Sequence, residues 1–224
     1  MSENVYIRPL CALGLMSGTS LDGIDIALLT TDGEKVSKFG PTNTVPYSET
    51  LREQIRATLG GNGNVTAAEV QLTTAHILAV RDFLSQHNII SDEVDLIGFH
   101  GHTIMHAPSR GKTWQIGDGQ RLANNLSIDV IADFRVADMD GGGEGAPLAP
   151  VFHRAMAHNL NAPLCILNIG GVANLTWISA EAMVAFDTGP GNALIDDWMR
   201  QHTGLGMDVN GALAATGQIH ETAL

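Results

Sequence analysis

The stretch Gly14–Leu29, GLMSGTSLDGIDIALL, sets two apolar runs on either side of a small, polar centre made of Ser17, Gly18, Thr19, Ser20, Asp22 and Gly23. A tight turn between strands needs only one or two residues of special conformation. The surplus points to a loop that grips a ligand. Gly18 and Gly23 permit close backbone approach and positive φ, Thr19 and Ser20 add hydroxyls, and successive N–H groups in such a turn form an anion nest. The plainer reading of the same residues is a hairpin with an Asp22-Gly23 turn. The loop is not a P-loop, because G-x-x-x-x-G-K-[ST] occurs nowhere in the chain. Nor is it a dinucleotide fingerprint, since it opens a strand and not a helix.

The flanking segments set the fold class. Leu10–Met16 and Ile24–Thr31 read as strands, the turn signal Asp32-Gly33-Glu34 follows, and a third strand is expected near Val36–Phe39. Connections this short imply antiparallel pairing, since a parallel crossover needs about a dozen residues or more. A short helix is expected over Ser48–Thr58, halted by Gly60 and Gly61. Thr66 and Glu69 have the spacing of a capping box opening a longer helix, with Val70, Ile77, Val80 and Leu84 on one face and Asn88 as its stop. Strand and helix then alternate. VDLIGFH (94–100) and IDVIADF (128–134) read as strands, and APLAPVFHRAMAHNL (146–160) as a helix whose start Pro150 restricts. Near Pro163 the opening pattern restarts: APLCILNIGGVANLTWIS reads as two strands joined at Gly170-Gly171, AMVAFD as a third, and Pro190–His202 as a helix ended by Gly204. Two related α/β lobes are therefore expected, 1–160 and an incomplete second, 161–224, whose final AATGQIHETAL opens another helix.

With 224 residues, 44% of them hydrophobic, the chain has material for a sizeable core. Its 24 acidic against 12 basic side chains give a formal net charge of −12. That balance argues against a nucleic-acid partner, because phosphate contacts need clustered Lys and Arg. A phosphate ligand would have to be met by backbone N–H groups, helix ends or a metal ion. Cys11 and Cys165 lie in apolar strand-like runs and read as buried thiols of a reducing compartment. No segment has the length or flanks of a signal peptide or a membrane span, so a cytoplasmic protein with no membrane partner is expected.

Four further stretches carry candidate chemistry. NIGGVANL (168–175) repeats the strand, glycine turn, strand arrangement, and a second such hairpin suits clamping of a triphosphate; alone it is a Gly-Gly turn. In AFDTGPGNALIDDW (185–198), Asp187 ends an apolar strand, in the crevice where α/β ligands sit. A helix starting near Pro190 would hold Asp187 ionised, as suits a carboxylate orienting a nucleophile; otherwise it merely caps the chain. FHGHTIMHAP (99–108) offers His100, His102 and His106. They are either zinc ligands of a hydrolase or, as the lack of any HExxH or Cys-His set favours, polar residues lining a cleft. Gln115, Asp118 and Arg135 sit in or beside strand or loop ends. Arg135 either receives an anionic substrate group such as a carboxylate or pairs with Asp133 or Asp138, and Glu144 reads as a loop residue.

Taken together, GLMSGTSLDGID, HGHT…HAP, WQIGDGQ, DFR, GGGEGAPLAPVFH, LNIGGVANLT and FDTGPGNALIDDW closely resemble the anhydro-N-acetylmuramic acid kinases of bacterial cell-wall recycling, from about residue 12 to the end. The resemblance implies an actin- and hexokinase-like fold of two ribonuclease-H-like lobes around a cleft. It also implies ATP and Mg²⁺ as cofactors and a 1,6-anhydro amino sugar as substrate: water adds at C1 while the released O6 takes the γ-phosphoryl, giving N-acetylmuramic acid 6-phosphate. Gly18, Thr19, Ser20, Leu21, Asp22, Gly23, Ile24 and Asp25 would be the ATP phosphate loop, and Gly170 and Gly171 part of its counterpart in the second lobe. Asp187 would be the general base on the attacking water, and Arg135, Gln115 and His100 would hold the sugar. No protein metal ligand is implied. The chain departs from the family pattern at His102, where Gln is usual, and lacks a later nucleotide-contacting segment and a second acidic residue that assists Asp187. An incomplete lobe would expose apolar surface and favour a homodimer. The alternative function is a non-catalytic nucleotide- or sugar-binding fragment of such a kinase.

Overall fold

The computed structural model describes residues 8–18 and 20–223. The chain divides into two compact units, Met1–His158 and Asn159–Leu224. In the first, β1 (Leu10–Ser17), β2 (Gly23–Thr31) and β3 (Val36–Pro46) form the expected antiparallel meander, with β3 running well past Phe39. Helices α1 (Glu49–Ala57) and α2 (Val65–Gln86) give the chain enough length to return, and β4 (Leu96–Ala107) lies parallel to β1. β5 (Lys112–Ile116) folds back on the second half of β4. Helix α3 (Gly119–Leu126) then leads to β6 (Val130–Ile131), parallel to the first half of β4. The path β3-β2-β1-β4-β6, a three-strand meander continued by parallel strands, is the layout of a ribonuclease-H-like lobe. Helices α4 (Phe134–Asp140) and α5 (Ala149–Met156) complete the unit.

Strand alternation makes the core. Leu13 and Leu15 of β1, Ile24 and Ile26 of β2, and Ile97 and Phe99 of β4 are buried with Leu51, Ile55, Leu72, Val80, Phe83 and Leu122 from the helices. Each such side chain contributes about 1.5–3 kcal/mol on burial. The α2 stripe differs from expectation, because the polar Thr73 and His76 are fully buried within it. The stripe centres on Leu72, His76, Val80 and Phe83, and Val70 falls at its edge, 45% exposed. The helix also starts earlier: Asn64 caps it by accepting from the Ala67 N–H at 3.1 Å, while Glu69 accepts from the Gly117 N–H at 3.0 Å instead of closing a capping box. Only Val130–Ile131 of IDVIADF is strand, because Asp133 turns left-handed (φ 57°) and Phe134 begins α4.

The second unit repeats the meander: β7 (Leu164–Ile169), β8 (Val172–Ile178) and β9 (Met183–Pro190), followed by α6 (Ala193–Thr203) with Gly204 as its left-handed C-cap. Among its described residues there is no counterpart of β4 or β6. Pro190 ends β9 rather than opening the helix. AATGQIHETAL forms single 3₁₀ turns at Ala214–Thr216 and Glu221–Ala223, not a longer helix. The two cysteines are free thiols, but Cys11 is half-buried and Cys165 exposed, contrary to the buried pair expected. Among the described residues no helix is long and apolar enough to cross a membrane.

Candidate functional site

In the first unit the parallel strands β1, β4 and β6 bring three sets of residues to their carboxyl ends, the position at which open α/β sheets bind ligands. These are the loop after β1, the histidines of β4, and Arg135 just beyond β6.

The loop is braced from three directions. At its start, the buried Ser17 Oγ lies 2.5 Å from Tyr47 Oη and 2.8 Å from His102 Nδ1. At its end, the Asp22 carbonyl accepts from the Tyr47 N–H at 3.1 Å. Between them, the Leu21 N–H donates to the Gly18 carbonyl at 3.0 Å, and the Leu21 carbonyl accepts from Arg52 Nε of α1 at 3.0 Å. Among the described loop residues the left-handed one is Leu21 (φ 61°), not Gly18 or Gly23. That conformation costs a non-glycine residue about 1–2 kcal/mol. Burial of the Leu21 side chain in the core offsets it. Gly23 is required for another reason: a Cβ there would stand 2.3 Å from the Val45 carbonyl oxygen of β3. Ile24 is also a core side chain, so any part it plays in binding falls to its backbone, whereas the Leu21 N–H and carbonyl are already spent on Gly18 and Arg52. Ser20, Asp22 and Asp25 are exposed, with Asp25 Oδ1 accepting from Thr44 Oγ1 at 2.6 Å, and Thr19 lies outside the described residues.

Gly101 takes a positive φ of 66° where the register of β4 against β1 shifts, Leu15 pairing with Phe99 and Ser17 with His102, and both His100 and His102 are buried. Burial, reinforced by His100, pulls the His102 pKa down to about 4, and burial pushes Tyr47 up to about 12; both side chains are therefore neutral near pH 7. His102 Nε2 has no hydrogen-bond partner among the described residues. His100 Nδ1 bonds the Gly101 carbonyl at 2.8 Å, and its Nε2 accepts from Arg135 Nε at 2.7 Å. Arg135 Nη1 donates to the Gly145 carbonyl at 2.9 Å. The Arg135 partners are thus a histidine and a backbone carbonyl, not Asp133 or Asp138; Asp138 accepts from the Gly145 N–H.

His106 Nδ1 lies 3.1 Å from Thr113 Oγ1, so the three histidines of β4 face three different partners. Among the described residues no group of three or more His, Cys, Asp or Glu side chains has the arrangement of a metal site. Gln115 spends its Nε2 on the Thr103 and Thr113 hydroxyls, while its buried Oε1 has no partner among the described residues. Asp118 caps α3 by accepting from the Arg121 N–H.

The second unit has its own glycine turn. The Gly170 carbonyl accepts from the Asn192 N–H at 2.7 Å and the Gly171 carbonyl from the Gly191 N–H at 2.9 Å, which straps the β7–β8 turn to the start of α6. Gly191 is obligatory there, since a Cβ would stand 2.3 Å from the Gly170 oxygen. Asp187 lies inside β9 opposite Asn174, its side chain exposed, and the strand continues to Pro190. The helix begins at Ala193, three residues later than expected. Sequence reasoning missed Tyr47 and Arg52, which hold the phosphate-loop candidate; each lies some 30 residues from its partner and belongs to no local motif.

Residues 10–224 match the family described as anhydro-N-acetylmuramic acid kinase. The chain is 56% identical over 214 residues to the anhydro-N-acetylmuramic acid kinase of Paramagnetospirillum magneticum, covering 95% of this chain and 60% of that protein. It is 48% identical to the enzyme of the same name from Rhizorhabdus wittichii, covering 95% and 61% respectively. Among solved structures it is similar to YeaZ from Pseudomonas aeruginosa at 15% identity and a TM-score of 0.31, over 81% of this chain and 68% of that one, a likeness too loose to carry weight. The chain spans about 60% of the length of the curated relatives it matches. On the family match and these identities, the chain belongs to the anhydro-N-acetylmuramic acid kinase family.

Proposed function

We propose that this chain carries the phosphate loop, sugar-side residues and general base of a cytoplasmic, ATP-dependent kinase of peptidoglycan recycling. The enzyme opens 1,6-anhydro-N-acetylmuramic acid by adding water at C1 and phosphorylates the released O6, giving N-acetylmuramic acid 6-phosphate. The observation that carries the reading is the braced loop after β1, set beside the oriented Arg135 at the carboxyl edge of the sheet. Phosphoryl transfer asks little covalent work of a protein; positioning and charge neutralisation do most of it. In a chain of net charge −12, the loop of Gly18, Thr19, Ser20, Leu21, Asp22, Gly23, Ile24 and Asp25 meets the ATP phosphates through backbone amides other than that of Leu21, which the Gly18 carbonyl already holds, and Gly170 and Gly171 serve the second unit's loop. The Asp22 carboxylate is exposed and fits a hard cation that keeps most of its waters; Mg²⁺ bound there would neutralise phosphate charge.

Asp187 takes the proton of the attacking water, and Arg135, Gln115 and His100 form the sugar side. Gln115 Oε1, buried and without a partner among the described residues, is an acceptor suited to a sugar hydroxyl. The test is Asp187→Asn, which should lower turnover by about 10²–10⁴-fold, the usual worth of a general base, with the circular dichroism spectrum unchanged. Unaltered turnover would remove Asp187 from the mechanism. Because the chain spans about 60% of its relatives' length, a second reading is a nucleotide- and sugar-binding fragment, marked by binding without turnover. Leu167, Ile169 and Phe186, exposed on the second unit's sheet, support association into a homodimer, which sedimentation velocity would reveal.

A further inference from the structure

The contacts of His100 determine its protonation state without reference to any ligand. The Gly101 carbonyl can only accept, so the proton between it and His100 Nδ1 belongs to the imidazole. Arg135 Nε always carries its hydrogen, so the His100 Nε2 facing it at 2.7 Å is the unprotonated nitrogen. Both neighbours select one neutral tautomer. With Nε on His100 and Nη1 on the Gly145 carbonyl, the planar guanidinium has no rotation left, and among the described residues Nη2 has no hydrogen-bond partner.

We propose that His100 is a positioning residue: its unprotonated Nε2 locks the Arg135 guanidinium with Nη2 free for an anionic group of the ligand, and a proton on Nε2 undoes the lock. The ligand part rests on the reading of Arg135 as a sugar-side residue. His100 thereby acts through Arg135 and need not touch the sugar.

The ionisable groups that face His100 favour the neutral ring. Arg135 comes from α4, His102 from its own strand and His76 from α2, and each is cationic or becomes so on protonation. The Asp138 carboxylate of α4 is spent on the Gly145 N–H at 2.8 Å. Burial, with Arg135 adding to it, holds His100 below the ordinary histidine range, and the Phe134 ring packs 5.9 Å from it, centroid to centroid. A second proton would set imidazolium against guanidinium and convert the acceptor into a donor.

The test uses the 224-residue chain with His100→Gln, which keeps an acceptor but cannot titrate, and His100→Leu, which keeps neither property. In ¹⁵N NMR at pH 7, His100 should show a protonated Nδ1 and a bare Nε2. The Arg135 Nε–H signal should be protected from exchange in the wild type and in His100→Gln, and lost in His100→Leu. A protonated Nε2, or a signal indifferent to both substitutions, would overturn the proposal. Titration with 1,6-anhydro-N-acetylmuramic acid gives the second readout. His100→Leu should weaken binding about tenfold, the worth of one charge-assisted hydrogen bond, with His100→Gln close to wild type. Wild-type affinity should be level above pH 6.5 and fall only below it, and that fall should flatten in His100→Gln. Equal losses in both variants with the same pH profile would also overturn it. If the ¹⁵N signature holds and the wild type ignores the sugar, the role of His100 stands and the sugar assignment of Arg135 is refuted.

Discussion

Ser17→Ala removes the hydroxyl that ties the phosphate-loop candidate to β4, and its cost follows from what it leaves behind. Ser17 Oγ is the partner of both Tyr47 Oη and His102 Nδ1, and His102 Nε2 has no partner among the described residues. The substitution thus strands two buried groups at once, at about 1–3 kcal/mol each, so a loss near 3 kcal/mol is expected. Tyr47→Phe removes one hydroxyl and leaves the Ser17–His102 bond intact, for about 1 kcal/mol. The double variant should be more stable than Ser17→Ala alone, because the stranded phenol is gone. For a chain of this size a 3 kcal/mol loss corresponds to about 6–12 °C in Tm. Amide hydrogen exchange over residues 10–31, read by mass spectrometry, confines the measurement to the first unit. Equal costs for the two single variants, or a Ser17→Ala loss under about 0.5 kcal/mol, the level of an unremarkable surface change, would refute the brace.

Gly23→Ala drives a Cβ to 2.3 Å from the Val45 oxygen and should cost about 3 kcal/mol by chemical denaturation, whereas Gly98→Ala meets nothing within 4 Å and should be neutral or slightly stabilising. Gly191→Ala meets the Gly170 oxygen at the same 2.3 Å and should loosen the β7–β8 turn, seen as faster amide exchange at Gly191 and Asn192. His76 and His102 both have pKa values lowered to about 4, chiefly by burial. The unfolded chain therefore binds more protons below pH 6.5, and stability should be full above that value and decline as pH falls toward 4, by at most about 3 kcal/mol per histidine. Stability flat from pH 7 to pH 4 would contradict the neutral buried state of both rings.

The meander was legible because period-two alternation from Leu10 to Leu29 and a short polar loop leave one economical pairing, and the same signature repeats around Gly170-Gly171. The buried face of α2 was not, because Thr73 and His76 sit in its centre and a polarity pattern places them outside. Thr73 satisfies itself by donating to the Glu69 carbonyl at 2.8 Å, and His76 pairs its Nδ1 with the Leu72 carbonyl at 2.9 Å, its buried Nε2 having no partner among the described residues. The loop residues were visible as a cluster, but their supports were not. Tyr47, Arg52 and His102 reach Ser17 or Leu21 across 30 to 85 residues of chain, a distance over which no local spacing rule operates. The left-handed residue fell on a leucine because tertiary burial outweighed the glycine preference of that conformation.

The proposed reaction is coupled opening and phosphorylation of an anhydro sugar. The most direct test incubates the protein with ATP, Mg²⁺ and 1,6-anhydro-N-acetylmuramic acid in ¹⁸O-labelled water, followed by mass spectrometry of the sugar. The proposed reaction yields a 6-phosphorylated product with its bridge opened and one solvent oxygen, located on the sugar and not in the phosphate. A phosphorylated sugar that keeps its anhydro bridge, or no phosphoryl transfer at all, would contradict it.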